Sequence, residues 1–104
     1  MSPRSTGQIL INLLGNAVRH GVADTTVVLR GHVRRRRLCL TVDNDGPLSA
    51  ELADALRRAT PPAGEKGLGL WIVRQLVLAG GGSVDAERLR RGRLRLRVRL
   101  PRPR

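Results

Sequence analysis

The stretch GEKGLGLWIVRQL, Gly64–Leu76, puts three glycines in front of an apolar pattern of helical period. Leu68, Trp71, Ile72 and Leu76 recur three and four residues apart, which predicts a helix over Leu68–Ala79. GGG, Gly80–Gly82, closes it. Flexible residues ahead of a well-formed helix have two uses: a turn, or backbone that approaches a bound anion closely. The N–H groups of a first helical turn have no partner within the helix and carry partial positive charge. Gly67, Leu68, Gly69 and Leu70 are therefore a candidate anion cradle, with Lys66 beside it. No GK[ST] follows the spacer, so it is not the P-loop. A third glycine is missing, so it is not the dinucleotide fingerprint.

Outward from this segment, four further pieces emerge. Ser5–His20 carries Ile9, Leu10, Leu13, Leu14, Ala17 and Val18 at helical spacing, with Gly21 as its stop. Thr25–Val33 and Leu38–Val42 are β-branched strands joined at Arg34–Arg37. DNDGP, Asp43–Pro47, reads as a loop, and Ser49–Ala59 as a short helix capped by Ser49. Ser83–Leu89 and Arg93–Leu100 form a last hairpin. In the second of these strands Arg93, Arg95, Arg97 and Arg99 alternate with Leu94, Leu96, Val98 and Leu100, predicting one buried and one wet face. The expected fold is α/β (α+β): a two-layer sandwich with a mixed, mostly antiparallel sheet and helices on one face. One domain over residues 1–104 is expected, with 101–104 as a tail.

Composition narrows the chemistry. The formal net charge is +12, and all but one of the 20 basic residues are Arg. A solvated basic face is the simpler reading than a polyanion site. Trp71 is the sole aromatic, which argues against single-stranded nucleic acid held by stacking. The lone Cys39 cannot form an internal disulfide, which fits a reducing compartment, and its setting in LCLTV suggests a core thiol. No stretch reads as a signal peptide or a membrane span.

Two more constellations carry chemistry. In NLLGNAVRHG, Asn12–Gly21, residues Asn12, Asn16 and Arg19 share one helical stripe, with His20 a turn beyond Asn16. An inward Asn offers an oxygen to a hard cation, and Arg19 suits a phosphate; an exposed polar stripe is the plain alternative. In VDNDGP, Val42–Pro47, Asp45 precedes Gly46 at a strand end. A turn accounts for both residues, and a carboxylate accepting from an exocyclic amine is the functional alternative.

In this order the three motifs resemble the ATP-binding catalytic domain of sensor histidine kinases. Its superfamily, built on the Bergerat fold, also holds gyrase B, MutL and the anti-sigma serine kinases. ILINLLGNAVRHG is similar to the asparagine box, VDNDGP to the first glycine box, and GEKGLGLWIVRQLVLAGG to the second. The resemblance implies Mg-ATP as ligand. Asn16 would hold Mg²⁺ with Asn12 in support. Arg19 would approach the phosphates and His20 the nucleotide. Asp45 would accept from the adenine amine, Gly46 would admit the base, and Lys66 and Gly67–Leu70 would face the phosphates. Residues 48–66 would form the ATP lid. It also implies a protein-histidine kinase whose γ-phosphate goes to a histidine on a separate dimerisation segment, then to a response regulator. The setting would be cytoplasmic, in a membrane-attached parent, with no dedicated nucleic-acid site.

The chain departs from the family in several places. Leu48 stands where a second glycine is usual, Phe is absent, and neither a first strand nor a phosphoacceptor segment is evident. Two alternatives follow: a degenerate, non-catalytic interaction or polyanion-binding relative, and an anti-sigma-type serine kinase.

Overall fold

The computed structural model describes residues 3–20, 22, 24–64 and 67–101. Helix α1, Pro3–His20, is followed by strands β1, Val28–Arg34, and β2, Arg37–Asp45. Helices α2, Ala50–Ala55, and α3, Leu68–Ala79, come next. Strand β3, Ser83–Arg88, and β4, Arg93–Pro101, end the fold, joined through a 3₁₀ turn at Arg90–Gly92. The four strands lie in the order β1-β2-β4-β3, every pair antiparallel. The helices cover one face, as the two-layer expectation required.

Register explains the layering. Leu94, Leu96, Val98 and Leu100 of β4 are buried, opposite Asn44, Val42, Leu40 and Leu38 of β2. Against this face pack Ile9, Leu13 and Ala17 from α1 and Leu70, Val73 and Val77 from α3, an all-aliphatic core. The other face is ionic. Arg95 donates to Asp43 through Nε at 2.7 Å and a terminal nitrogen at 2.8 Å. Arg93 meets Asp45 at 3.2 Å, Arg97 bridges Asp85 and Glu87, and Arg99 reaches Asp85 at 2.9 Å. The wet arginine face expected from the sequence is therefore a neutralised ladder along β4. Arg95 holds the Asp43 carboxyl below the ordinary value, first by its hydrogen bonds and then by its charge, against the opposing effect of burial.

Several boundaries moved for non-local reasons. Strand β2 runs through Asp43–Asp45, where a loop was expected, because Arg93 and Arg95 supply cross-strand partners for the two acids. Ser49 does cap α2, its Oγ accepting from Leu52 N at 3.2 Å. That helix stops well short of Ala59. Arg74 takes the carbonyl of Leu56 at 2.9 Å, and both Arg74 and Trp71 take that of Arg58. Cys39, expected in the core, is half-buried on the ionic face, paired in register with His32 and Arg99. The β1–β2 connection is a tight turn with Arg35 at φ 49° and Arg36 at φ 65°. Left-handed backbone costs a residue with a Cβ about 1 kcal/mol.

Candidate functional site

Helices α1 and α3 lie side by side, and a cleft opens between them at the start of α3. Ile11, Asn12, Gly15, Asn16, Arg19, Gly67 and Gly69 line a cavity of about 140 Å³. A shallower depression adjoins it, formed by Asn12, Arg19, Leu68, Gly69 and Ile72. Two helical patterns produce this meeting. On α1, Asn12, Asn16 and Arg19 occupy one stripe; Asn16 is buried, while Arg19 is exposed. Asn12 Nδ2 donates to the Gln8 carbonyl at 3.0 Å, which leaves its Oδ1 toward Gly69.

On α3 the glycines have separate duties. Gly67 is left-handed, φ 86°, and a Cβ there would stand 3.1 Å from the Glu51 carbonyl oxygen and 3.2 Å from Ala55 Cβ. It seats the helix start against α2. A Cβ on Gly69 would sit 3.5 Å from Asn12 Oδ1, narrowing the cleft. Gly67 stands at the N-cap and has no side chain to offer, so among the described residues the first-turn donors take no oxygen from the cap position. The Trp71 N–H already bonds the Gly67 carbonyl at 2.9 Å. Leu70 lines neither space, and its side chain is buried in the core. An oxyanion entering this cleft meets a positive helix terminus, Arg19 and two amide side chains.

The structure thus brings Asn12, Asn16, Arg19, Gly67, Leu68 and Gly69 together, while Leu70, also expected at the phosphates, turns its side chain into the core. Lys66 lies outside the described residues, as does the side chain of His20, whose backbone ends α1. Asp45 is not brought to the cleft. Alternation along β2 sends its side chain to the ionic face, against Arg93. Gly46, buried at φ 147°, ends the strand and donates to the Gly92 carbonyl at 3.1 Å.

The residue that points to the helical side is Asn44, 2% exposed. Its Nδ2 donates to the Asp45 carbonyl at 3.2 Å, and its Oδ1 is buried with no partner. Such an atom is costly to leave unpaired. The Val22 N–H docks the chain leaving α1 onto the Asp45 carbonyl at 2.8 Å, so the end of α1 and the end of β2 meet here. Sequence reading missed Asn44. The signal was available: Leu40, Val42 and Asn44 follow the period of two, and Asp45 breaks it.

Comparison with known proteins agrees with this geometry. Sensor histidine kinase GtrS of Pseudomonas aeruginosa is 32% identical over 105 residues, covering 96% of this chain. The chain spans only 22% of that relative's length. The catalytic domain of histidine kinase ThkA superposes with a TM-score of 0.80 at 24% identity, over 97% of this chain and 69% of that one. Full-length ShkA, solved in complex with AMPPNP, gives 0.74 at 28% identity, over 93% of this chain and 21% of that one. The model of the histidine kinase-, DNA gyrase B- and HSP90-like ATPases matches residues 1–104, and the chain belongs to that family.

Proposed function

We propose that this domain binds Mg-ATP in the cleft between α1 and α3 and presents the γ-phosphate to a histidine on a separate phosphoacceptor segment. The work is one of positioning and charge neutralisation rather than covalent chemistry. The observation that carries the reading is the convergence of Asn12, Asn16 and Arg19 on the Gly67–Gly69 helix start. In support, a similar protein, ShkA, has been solved with the ATP analogue AMPPNP.

The residues present fit the cation. Among the described residues no cluster of His, Cys, Asp or Glu could hold a metal by itself. A hard cation here would be held by the Asn16 carbonyl oxygen, with Asn12 in support. Bound magnesium supplies charge neutralisation to the phosphates. Arg19 meets phosphate oxygens, and the amides of Gly67–Leu70 donate to them. His20 and Lys66 are assigned to the nucleotide's flank.

For the base, we assign the amine acceptor to Asn44 rather than Asp45. Its amide nitrogen is already engaged, so Oδ1 is the free group, and an oxygen acceptor selects adenine over guanine. Residues 48–66 are the proposed lid. A response regulator downstream, a cytoplasmic setting and a membrane-attached parent belong to the same reading. Among the described residues, no helix is long and apolar enough to cross a membrane.

Isothermal titration with Mg-ATP tests it. The unaltered chain should bind, and Asn16→Ala should weaken binding about tenfold or more, the loss of one cation-linked oxygen. Absence of heat with the unaltered chain, or equal heats from both, would overturn it. GTP should compete poorly.

A further inference from the structure

At the end of the sheet remote from the nucleotide cleft, a second cavity of about 290 Å³ has four arginines in its lining. Helix α3 joins the two sites, with its start at the cleft and Gly81 and Gly82 just past its end, and its 12 residues put them about 18 Å apart. Two turns and the end of β4 enclose it: Arg35, Arg36 and Arg37 on one side, Gly81, Gly82 and Ser83 on the other, and Arg99 between. It opens onto a shallower surface where His32, Arg34 and Cys39 continue the wall. No acidic residue lines either space among the described residues. The ion ladder stops short of this end. Arg99 shares Asp85 with Arg97, and Arg34–Arg37 make no ion pair with a described residue.

Two backbone features show that the sequence does not choose the relaxed solution here. Both central residues of the β1–β2 turn, Arg35 and Arg36, are left-handed, where Asn-Gly is the favoured pair. Gly82 has no room for a side chain: a Cβ would collide with the Arg99 carbonyl oxygen. One turn thus carries guanidinium groups at a conformational cost, and the other stays bare so that the strand bearing Arg99 packs close. Clustered guanidinium groups, those of Arg35–Arg37 without an acidic partner among the described residues, in a concave space match a compact polyvalent oxyanion.

We propose that this end of the sheet is a second anion site, for a ligand bearing clustered phosphate oxygens, separate from the nucleotide cleft. The ligand is either a free phosphorylated molecule or a phosphate-monoester lipid headgroup.

The test uses thermal unfolding of the full chain with pyrophosphate, without magnesium and at fixed ionic strength. At concentrations about tenfold above the dissociation constant, the midpoint should rise by about 5 °C. The informative variant is R35N/R36G, which relaxes the turn while removing two cations. It should begin with a higher midpoint than the unaltered chain and gain nothing from pyrophosphate. Arg99→Gln should lose most of the gain, and Arg19→Gln, in the nucleotide cleft, should keep it. An equal gain in R35N/R36G overturns the proposal. So does an equal gain from sodium chloride alone, which is general screening, or loss of the gain in Arg19→Gln, which moves the anion to the nucleotide cleft. Sedimentation with vesicles of phosphatidylcholine, with and without phosphatidic acid, separates the sources. Binding that needs phosphatidic acid and is lost in R35N/R36G supports the headgroup; a pyrophosphate response without vesicle binding supports the free ligand.

Discussion

The two faces of the sheet are made from alternate residues of the same strands, and they obey opposite chemistry. Toward the helices, Leu40, Val42, Leu94, Leu96, Val98 and Leu100 are sealed from water, and the single buried polar side chain among the strand residues there is Asn44. Away from the helices, Asp43, Asp45, Asp85 and Glu87 neutralise the arginines of β4. A step of one residue along β2 exchanges one environment for the other. Three consecutive polar residues in Asp43–Asn44–Asp45 therefore have three different roles. Asp43 anchors a cross-strand pair, Asn44 faces the helical layer with a free oxygen, and Asp45 forms a partly exposed pair at the rim.

The sharpest way to break this contrast is to damage each face in turn. Leu96→Ala removes a fully buried side chain at the centre of the apolar face and should cost about 3 kcal/mol in denaturant unfolding. That loss should be the same across the pH range. On the ionic face, Asp43→Asn should cost about 2 kcal/mol at neutral pH, since it leaves Arg95 without its bidentate partner.

This second loss is pH-dependent, and its sign is fixed. Asp43 has a lowered pKa in the folded chain, so the unfolded chain binds the proton more readily. The stabilisation is present in full above the ordinary carboxylate value of 3.8 and fades as pH falls through the lower folded value. The gap between Asp43→Asn and the unaltered chain should therefore shrink below about pH 4. A gap that persisted undiminished under acid would mean that shape, not charge, holds this pair.

Smaller effects test the assignment at the strand end. Asn44→Leu should weaken Mg-ATP binding about tenfold with little change in stability, because it removes the unpartnered oxygen along with the proposed base contact. Asp45→Asn should cost under about 1 kcal/mol and leave nucleotide binding unchanged, as expected for a partly exposed pair. If titration gave the reverse, the division of roles between neighbours would fall while the layered fold stood.

Much of this was legible from local pattern. Helix α3 runs over the expected Leu68–Ala79 because Gly67 and Gly80 punctuate it on both sides. The inward and outward residues of β4 follow directly from strict alternation. The asparagine stripe and the glycine turn could be read from helical spacing, and they do meet. What escaped was decided by partners distant in sequence. DNDG has the composition of a turn, and only Arg93 and Arg95, some fifty residues on, make its first three residues strand. Helix α2 looked longer because nothing local shows that Trp71 and Arg74 take the carbonyls just past its end. Cys39 shares the outward parity of Thr41 and Asp43, but its apolar neighbours Leu38 and Leu40 mask that signal. The arginine-lined cavity was invisible for the same reason: its walls come from two turns more than forty residues apart.

Strand β4 lies in the interior of the sheet, bonded to β2 on one side and β3 on the other, yet it comes last of the described elements in chain order. During synthesis, the β1–β2 hairpin and all three helices emerge before the piece that joins them. Until Arg93–Pro101 leaves the ribosome, the inner surface of β2 has no neighbour on one edge, and the ladder acids have no counter-charge. Assembly of this domain is consequently a late, single event with long loop closures, slower than its helical content would suggest.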